Sequence, residues 1–91
     1  MQNQLFIDGE WRSGRAGTFA TIDPATGKVI TEVAQADAQD VDDAVAAATT
    51  AFGSGWATML PSARARLLHR LADLVEAHAD ELALLETTDQ G

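Results

Sequence analysis

Residues Pro61–Gly91, PSARARLLHRLADLVEAHADELALLETTDQG, carry the longest unbroken periodic pattern in the chain. Large apolar side chains recur there every three or four residues, and charged side chains fall on the opposite face, which predicts amphipathic helix. The apolar series, named the leucine stripe below, consists of Leu67, Leu68, Leu71, Leu74, Val75, Leu82 and Leu85. Helical hydrogen bonds alone do not offset the entropy lost in ordering such a segment. We therefore expect another surface to cover the stripe.

Local signals set the bounds of these helices. Pro61 suits a first helical position, because its missing N–H would be unpaired there in any residue. Asp80 suits the N-cap of a second helix, and Gly91 suits the left-handed position that ends it. The sequence predicts one helix from Pro61 to about His78 and a second from about Asp80 to Gln90.

The chain begins with a short β-hairpin, LFIDGEWR. Leu5–Ile7 and Glu10–Arg12 flank Asp8-Gly9, a dipeptide that tolerates the positive φ angles of a type I′ turn. The next five residues, Ser13–Gly17, have the composition of a loop.

A second strand pair follows this loop. Thr18–Ile22 is predicted to be a strand, and Asp23–Gly27 a turn, with proline where φ is preset and glycine where φ can be positive. Lys28–Val33 is the next predicted strand. Its alternation puts Val29, Thr31 and Val33 on one side and Ile30 on the other.

A third helix is predicted between the strands and the leucine stripe, over Ala36–Phe52. Asp37 with Asp40 supplies an N-cap and an acidic first turn. Gly53-Ser54-Gly55 ends the helix. The predicted apolar face comprises Val41, Ala44, Val45, Ala48, Ala51 and Phe52. The fold class is therefore α/β: a short hairpin and edge strands followed by three helices.

Composition limits the classes of partner. The formal net charge of −8 over 91 residues argues against nucleic acid and anionic membrane surfaces as partners. The clustered Arg64, Arg66 and Arg70 are explained by salt bridges or a solvated helix face. The sequence has no cysteine, hence no disulfide or thiolate site. It has no signal peptide or transmembrane run, so we expect a cytoplasmic protein without membrane contact.

No set of residues forms a recognisable catalytic motif. Gly53-Ser54-Gly55 follows a helix, so it is a helix end and not a dinucleotide loop. His69 and His78 lack the spacing of metal ligands and are expected at the surface. The acidic cluster of Asp37, Asp40, Asp42 and Asp43 lacks the pattern of a calcium loop and is expected to be a solvated helix start.

Several segments together resemble the N-terminal segment of the NAD(P)-dependent aldehyde dehydrogenases, nearest to the betaine aldehyde dehydrogenase-like branch. The most specific are IDGEW at Ile7–Trp11, IDPATG at Ile22–Gly27 and ELALLETTDQG at Glu81–Gly91. The resemblance covers nearly the whole chain.

The resemblance implies a partial coenzyme-binding, Rossmann-like domain over residues 1–91, with strands and turns in 1–35 and helices in 36–91. The parent enzyme would oxidise an aldehyde to a carboxylic acid with NAD or NADP, through a thiohemiacetal on a cysteine. That cysteine, the glutamate base and the coenzyme glycine motif lie downstream in the family, so this chain alone should be inactive. The implied partners are the rest of the enzyme chain and its other subunits.

The resemblance also implies a site for a monovalent cation, K⁺ or Na⁺. In several family members the ligands are backbone carbonyls at the positions of Thr21 and Ile22 and a carboxylate at the position of Asp89. Such a hard cation favours several oxygen ligands. Its role here would be structural.

Two other classes of function stay open at this stage. The chain could be a complete, small acidic α/β module that binds a protein through the leucine stripe. It could also be a carrier protein, although Ser54 lacks the helix-start setting of a serine that holds a prosthetic group.

Overall fold

The computed structural model describes residues 2–91. Four short strands precede four helices, of which three are long. The strands are β1 (Leu5–Ile7), β2 (Glu10–Arg12), β3 (Thr18–Ile22) and β4 (Val29–Ala34). The helices are α1 (Ala38–Phe52), α2 (Gly55–Thr58), α3 (Pro61–Ala77) and α4 (Ala79–Gln90).

The hairpin follows from its turn. Asp8 and Gly9 have φ angles of 53° and 76°, both in the left-handed region that a type I′ turn requires. Strands β1 and β2 pair antiparallel, and Phe6 lies opposite Trp11 with their ring centres 4.7 Å apart. The predicted hairpin is confirmed.

Strands β3 and β4 form a second antiparallel pair, closed by the predicted turn. The Asp23 side chain accepts a hydrogen bond from the Ala25 N–H (2.9 Å), and Gly27 has a φ of 73°. Thr21 lies opposite Thr31 but Ile22 lies opposite Val29, so Ile30 is the extra residue of a β-bulge.

The bulge corrects the predicted sides of β4. Strict alternation would put Val29 on the same side as Thr31 and Val33. In the structure Val29 is 58 % exposed, whereas Ile30, Thr31 and Val33 all line one cleft. An extra residue in one strand shifts its side chains relative to the simple period of two.

Helix α1 begins with the predicted Asp37 N-cap, and Asp40 completes a capping box. Its alanines on the predicted apolar face, Ala44, Ala48 and Ala51, line the space beside the hairpin together with Ala47. The larger side chains of the same face, Val41, Val45 and Phe52, are 54, 60 and 81 % exposed. Part of the predicted face therefore faces the hairpin and part is left uncovered.

The junctions of the later helices differ slightly from the predictions. Gly53 caps α1 as expected, but the four-residue helix α2 was not predicted. Pro61 opens α3 and Gly91 has a φ of 82° after α4, both as predicted. Asp80 is not the N-cap of α4: His78 alone separates the helices, and its carbonyl accepts from the Leu82 N–H at 3.0 Å. Asp80 lies in the first turn of α4, where the helix dipole favours a negatively charged side chain.

No apolar side chain among residues 2–91 is buried. The molecule is a plate of 48 × 34 × 15 Å, and its radius of gyration is 16.8 Å. A compact protein of this length would have a radius of about 12 Å. The leucine stripe is 36 to 57 % exposed, so the elements described over residues 2–91 leave much of it uncovered.

Within residues 2–91, no helix combines the length and the hydropathy needed to span a membrane.

Candidate functional site

A cleft of about 320 Å³ lies where the end of α4 meets the β3–β4 pair. Its lining is mostly apolar, with two carboxylates on the helix side. The lining residues are Thr21, Ile30, Thr31, Val33, Leu85, Glu86 and Asp89.

Local contacts define both sides of this cleft. The left-handed Gly91 lies against the β3–β4 turn, where a Cβ on it would be 3.2 Å from Pro24 Cγ and 3.3 Å from the Ala25 nitrogen. On the strand side, the Thr21 hydroxyl donates to the Thr31 carbonyl at 3.2 Å. The bulge after this pair interrupts the regular ladder, and backbone groups at a bulge are freer to take other partners.

The structure brings together two of the three predicted cation ligands. Thr21 and Asp89 line the same cleft, and Ile22 is the next residue of β3, at the bulge. Ile22 is not among the lining residues, and its side chain is 48 % exposed. A cation at this place would depend on backbone carbonyls and the α4 carboxylates. Over residues 2–91 there is no group of three or more acidic, histidine or cysteine side chains able to hold a metal.

Glu86 is a lining residue that the sequence analysis missed. It lies three residues before Asp89, so both carboxylates project from the same side of α4. This spacing could have identified it.

A second polar cluster fastens the hairpin to α1 and centres on Asp40, which is 1 % exposed. Its Oδ1 accepts from Arg12 Nη2 at 2.6 Å, and its Oδ2 accepts from the Arg15 N–H at 2.8 Å and the Asp37 N–H at 3.1 Å. Arg12 Nη2 also donates to Asp43 Oδ2 at 2.8 Å. The prediction of a solvated acidic cluster is therefore wrong for Asp40. Its partner Arg12 is 28 residues distant, which no local pattern could reveal.

The electrostatics of this cluster favour the ionised carboxylates. Burial raises the pKa of Asp40, but the amides of Arg15 and Asp37 and the Arg12 guanidinium outweigh it and lower that pKa to about 2. The pKa of Asp43 is lowered mainly by its hydrogen bond from Arg12. The two carboxylates in turn raise the pKa of Arg12, Asp43 having the larger effect.

The histidines and the basic residues of α3 lie where the sequence predicted. His69 and His78 are exposed, and His78 Nδ1 lies 3.2 Å from Glu81 Oε2. The Arg64 guanidinium lies 6.0 Å from the centre of the Trp56 ring and donates to the Met59 carbonyl at 3.4 Å. These contacts indicate a helix surface and not a binding site.

A family model described as the aldehyde dehydrogenase family matches residues 11–91. The mitochondrial aldehyde dehydrogenase of Homo sapiens is 52 % identical over 98 % of this chain and 18 % of its own. The NADP/NAD-dependent aldehyde dehydrogenase PuuC of Escherichia coli is 44 % identical over all of this chain and 19 % of its own.

Comparison with solved structures gives the same family. The solved NAD⁺ complex of an aldehyde dehydrogenase from Bacillus cereus superimposes with a TM-score of 0.91 at 47 % identity, over all of this chain and 19 % of that one. The chain thus spans less than a fifth of the length of these relatives. None of the three carries a betaine aldehyde dehydrogenase name, so that branch stays a prediction.

Proposed function

This chain belongs to the aldehyde dehydrogenase family, and we propose that it is the N-terminal part of an enzyme that oxidises an aldehyde to a carboxylic acid with NAD⁺ or NADP⁺. Both coenzymes appear in the name of the Escherichia coli relative, and NAD⁺ is bound in the Bacillus cereus relative. The cysteine that would form the thiohemiacetal lies outside these 91 residues, which contain none. No catalytic role is proposed for any residue of this chain.

The proposed contribution of residues 1–91 is structural, as part of the coenzyme-binding domain. The observation that carries this proposal is the uncovered leucine stripe. The described structure exposes 7094 Å², against about 5,100 Å² for a compact protein of 9.6 kDa. Burial of this excess of about 2,000 Å² against an equal area of the covering surface would give about 4,000 Å² in total, which lies in the range of permanent interfaces. The remaining four-fifths of an aldehyde dehydrogenase would supply the covering surface, with the other subunits as further partners.

The activity is tested on the native protein that contains these residues. Aldehyde-dependent formation of reduced coenzyme should be observed with NAD⁺, with NADP⁺ or with both. The reaction should give the carboxylic acid in equal amount and should be abolished by a thiol-alkylating reagent. Absence of reduced coenzyme across short aliphatic, aromatic and amino aldehydes would contradict the proposal. We propose the cytoplasm as the compartment, which cell fractionation checks.

We also propose that the α4 cleft holds a monovalent cation, K⁺ or Na⁺. The carbonyls of Thr21 and Ile22 and the carboxylate of Asp89 are the proposed ligands, and Glu86 adds negative charge nearby. Asp89 lies in the last turn of α4, where the helix dipole disfavours an acid and no basic side chain compensates it. A bound cation would offset that cost. Replacing K⁺ and Na⁺ by tetramethylammonium should lower the Tm of the native protein, and an unchanged Tm would contradict the site.

One observation favours a second candidate, a stand-alone module that binds another protein. An apolar face exposed as widely as the leucine stripe is typical of protein-interaction surfaces. The two candidates differ in where the cover comes from. In the enzyme it belongs to the same polypeptide and subunits, whereas a module would bind a different protein and would show no aldehyde-dependent coenzyme reduction.

A further inference from the structure

The β1–β2 hairpin has little apolar attachment to the rest of the chain. Phe6 and Trp11 contact each other with their ring planes tilted by 43°, but they are 59 and 52 % exposed. On the side of the hairpin that faces α1, the apolar groups that the helix places beside Ile7 are small: the methyl groups of Ala44, Ala46, Ala47, Ala48, Thr50 and Ala51. Small side chains bury little area, so this packing contributes little to holding the hairpin in place.

Polar contacts from three separate segments meet at Asp40. Arg12 is the last residue of β2, Arg15 belongs to the loop that follows, and Asp37 begins α1. All three donate to the same buried carboxylate. Because the charge is desolvated and fully hydrogen-bonded, each of these bonds is stronger than one between neutral groups.

The loop after the hairpin is also held by contacts that do not involve Asp40. The Ala16 N–H donates to the Gln35 carbonyl at 3.1 Å, and the Gln35 N–H donates to the Gly17 carbonyl at 2.8 Å. At the other end of the hairpin, the Ala34 N–H donates to the Asn3 carbonyl at 2.8 Å. These bonds tie residues 3, 16 and 17 to the end of β4. The hairpin between them is fastened to α1 by the Asp40 contacts and by the bond from Arg12 to Asp43, which is 35 % exposed and therefore worth less than the buried contacts.

We propose that Asp40 is an electrostatic clamp that holds the β1–β2 hairpin against α1, so that its release opens the hairpin as a local unit while the β3–β4 pair stays folded. The clamp fixes the direction in which the exposed Phe6–Trp11 pair is presented. Asp40 is a positioning residue in this role. Local opening of this kind is governed by the few bonds that hold the unit and not by the global stability.

The matched variants are Asp40→Asn and Asp42→Asn in the native protein. The first keeps the shape of the side chain but removes the charge that Arg12 and the two amides bind. The second removes the same charge from an exposed neighbour in the same turn of α1. Hydrogen exchange followed by mass spectrometry reports each segment separately, which distinguishes a local clamp from general destabilisation.

Asp40→Asn should accelerate exchange in residues 5–15 by on the order of tenfold or more, the loss expected from one charge-assisted hydrogen bond. Exchange in β3, β4 and α3 should change little, and Asp42→Asn should leave every segment unchanged. Unchanged exchange in residues 5–15, or equal acceleration across all segments, would overturn the clamp.

A second variant keeps the proposal testable if Asp40→Asn does not fold. Arg12→Gln removes the ion pairs to Asp40 and Asp43 but leaves the Arg15 amide bond to Asp40 in place. Faster exchange of β1 and β2 with a still protected Arg15 amide supports the clamp. Unchanged exchange of β1 and β2 in this variant overturns it.

Discussion

Separating residues 1–91 from any covering surface should abolish the structure described here. The excess exposed area is about 2,000 Å² over a compact protein of equal mass. If about 57 % of this excess is apolar, about 1,100 Å² of apolar surface stays in water. Its burial would contribute about 28 kcal/mol at about 25 cal/mol per Å². The whole net stability of a typical domain is only about 5–15 kcal/mol. The isolated polypeptide therefore lacks the driving force to order α3 and α4.

Small-angle X-ray scattering with light scattering measures this directly. The described structure has a radius of gyration of 16.8 Å, whereas an unfolded chain of 91 residues has one of about 30 Å. We expect the isolated monomer to lie far above the first value and to show no cooperative thermal transition by circular dichroism. A monomeric species with a radius of gyration near 17 Å that melts cooperatively would contradict this prediction, because the stripe would then need no cover.

Three further predictions concern the native protein. Gly14→Ala should lower the free energy of unfolding by about 1–3 kcal/mol, because a Cβ there would overlap the backbone of Gln35. The control Gly55→Ala, where a Cβ meets nothing within 4 Å, should not lower it. Equal Tm values for the two variants would contradict the close approach of Gly14 to Gln35. The pKa of Asp40 is lowered from 3.8 to about 2. The contribution of its carboxylate to the free energy of unfolding should therefore be complete above about pH 4 and lost as the pH falls toward 2. If the difference in unfolding free energy between wild type and Asp40→Asn does not shrink over this range, the prediction is wrong. Without K⁺ and Na⁺, Asp89→Asn should raise the free energy of unfolding by about 0.3–1 kcal/mol, because it removes an acid from the last turn of α4. In the presence of these cations it should lower the free energy of unfolding. A change of the same sign in both buffers would count against the cation site.

Features set by neighbouring residues were predictable from the sequence. Asp8-Gly9 specifies a type I′ turn wherever two strands flank it, and the structure has both residues at positive φ. Asp37 caps α1, and Pro61 and Gly91 mark the two ends of the α3–α4 segment, as predicted. Each of these depends on contacts within a few residues.

Features set by distant contacts were not predictable in this way. The acidic start of α1 is typical of a solvated helix end, yet Asp40 is buried by Arg12 and the loop at Arg15. The bulge at Ile30 similarly changed which side of β4 lines the cleft. Periodicity found the apolar side of α1 but could not show that the hairpin lies beside its alanines and leaves Val41, Val45 and Phe52 exposed.

The candidate cation site falls between these two cases. The resemblance to the family named Thr21, Ile22 and Asp89, and the fold places Thr21 and Asp89 on one cleft. Composition and spacing alone would not have paired a strand with a helix more than sixty residues later. Glu86 was recognised as a lining residue only once the cleft was known, although its spacing from Asp89 is visible in the sequence.

We propose that the remainder of an aldehyde dehydrogenase covers the leucine stripe. Hydrogen exchange of the α3 amides, Pro61–Ala77, measures this cover when the native protein and the isolated 91-residue polypeptide are compared. We predict that these amides exchange slowly in the native protein and at nearly the unprotected rate in the isolated polypeptide. Equally rapid exchange in both would show that nothing covers the stripe and would contradict the proposal.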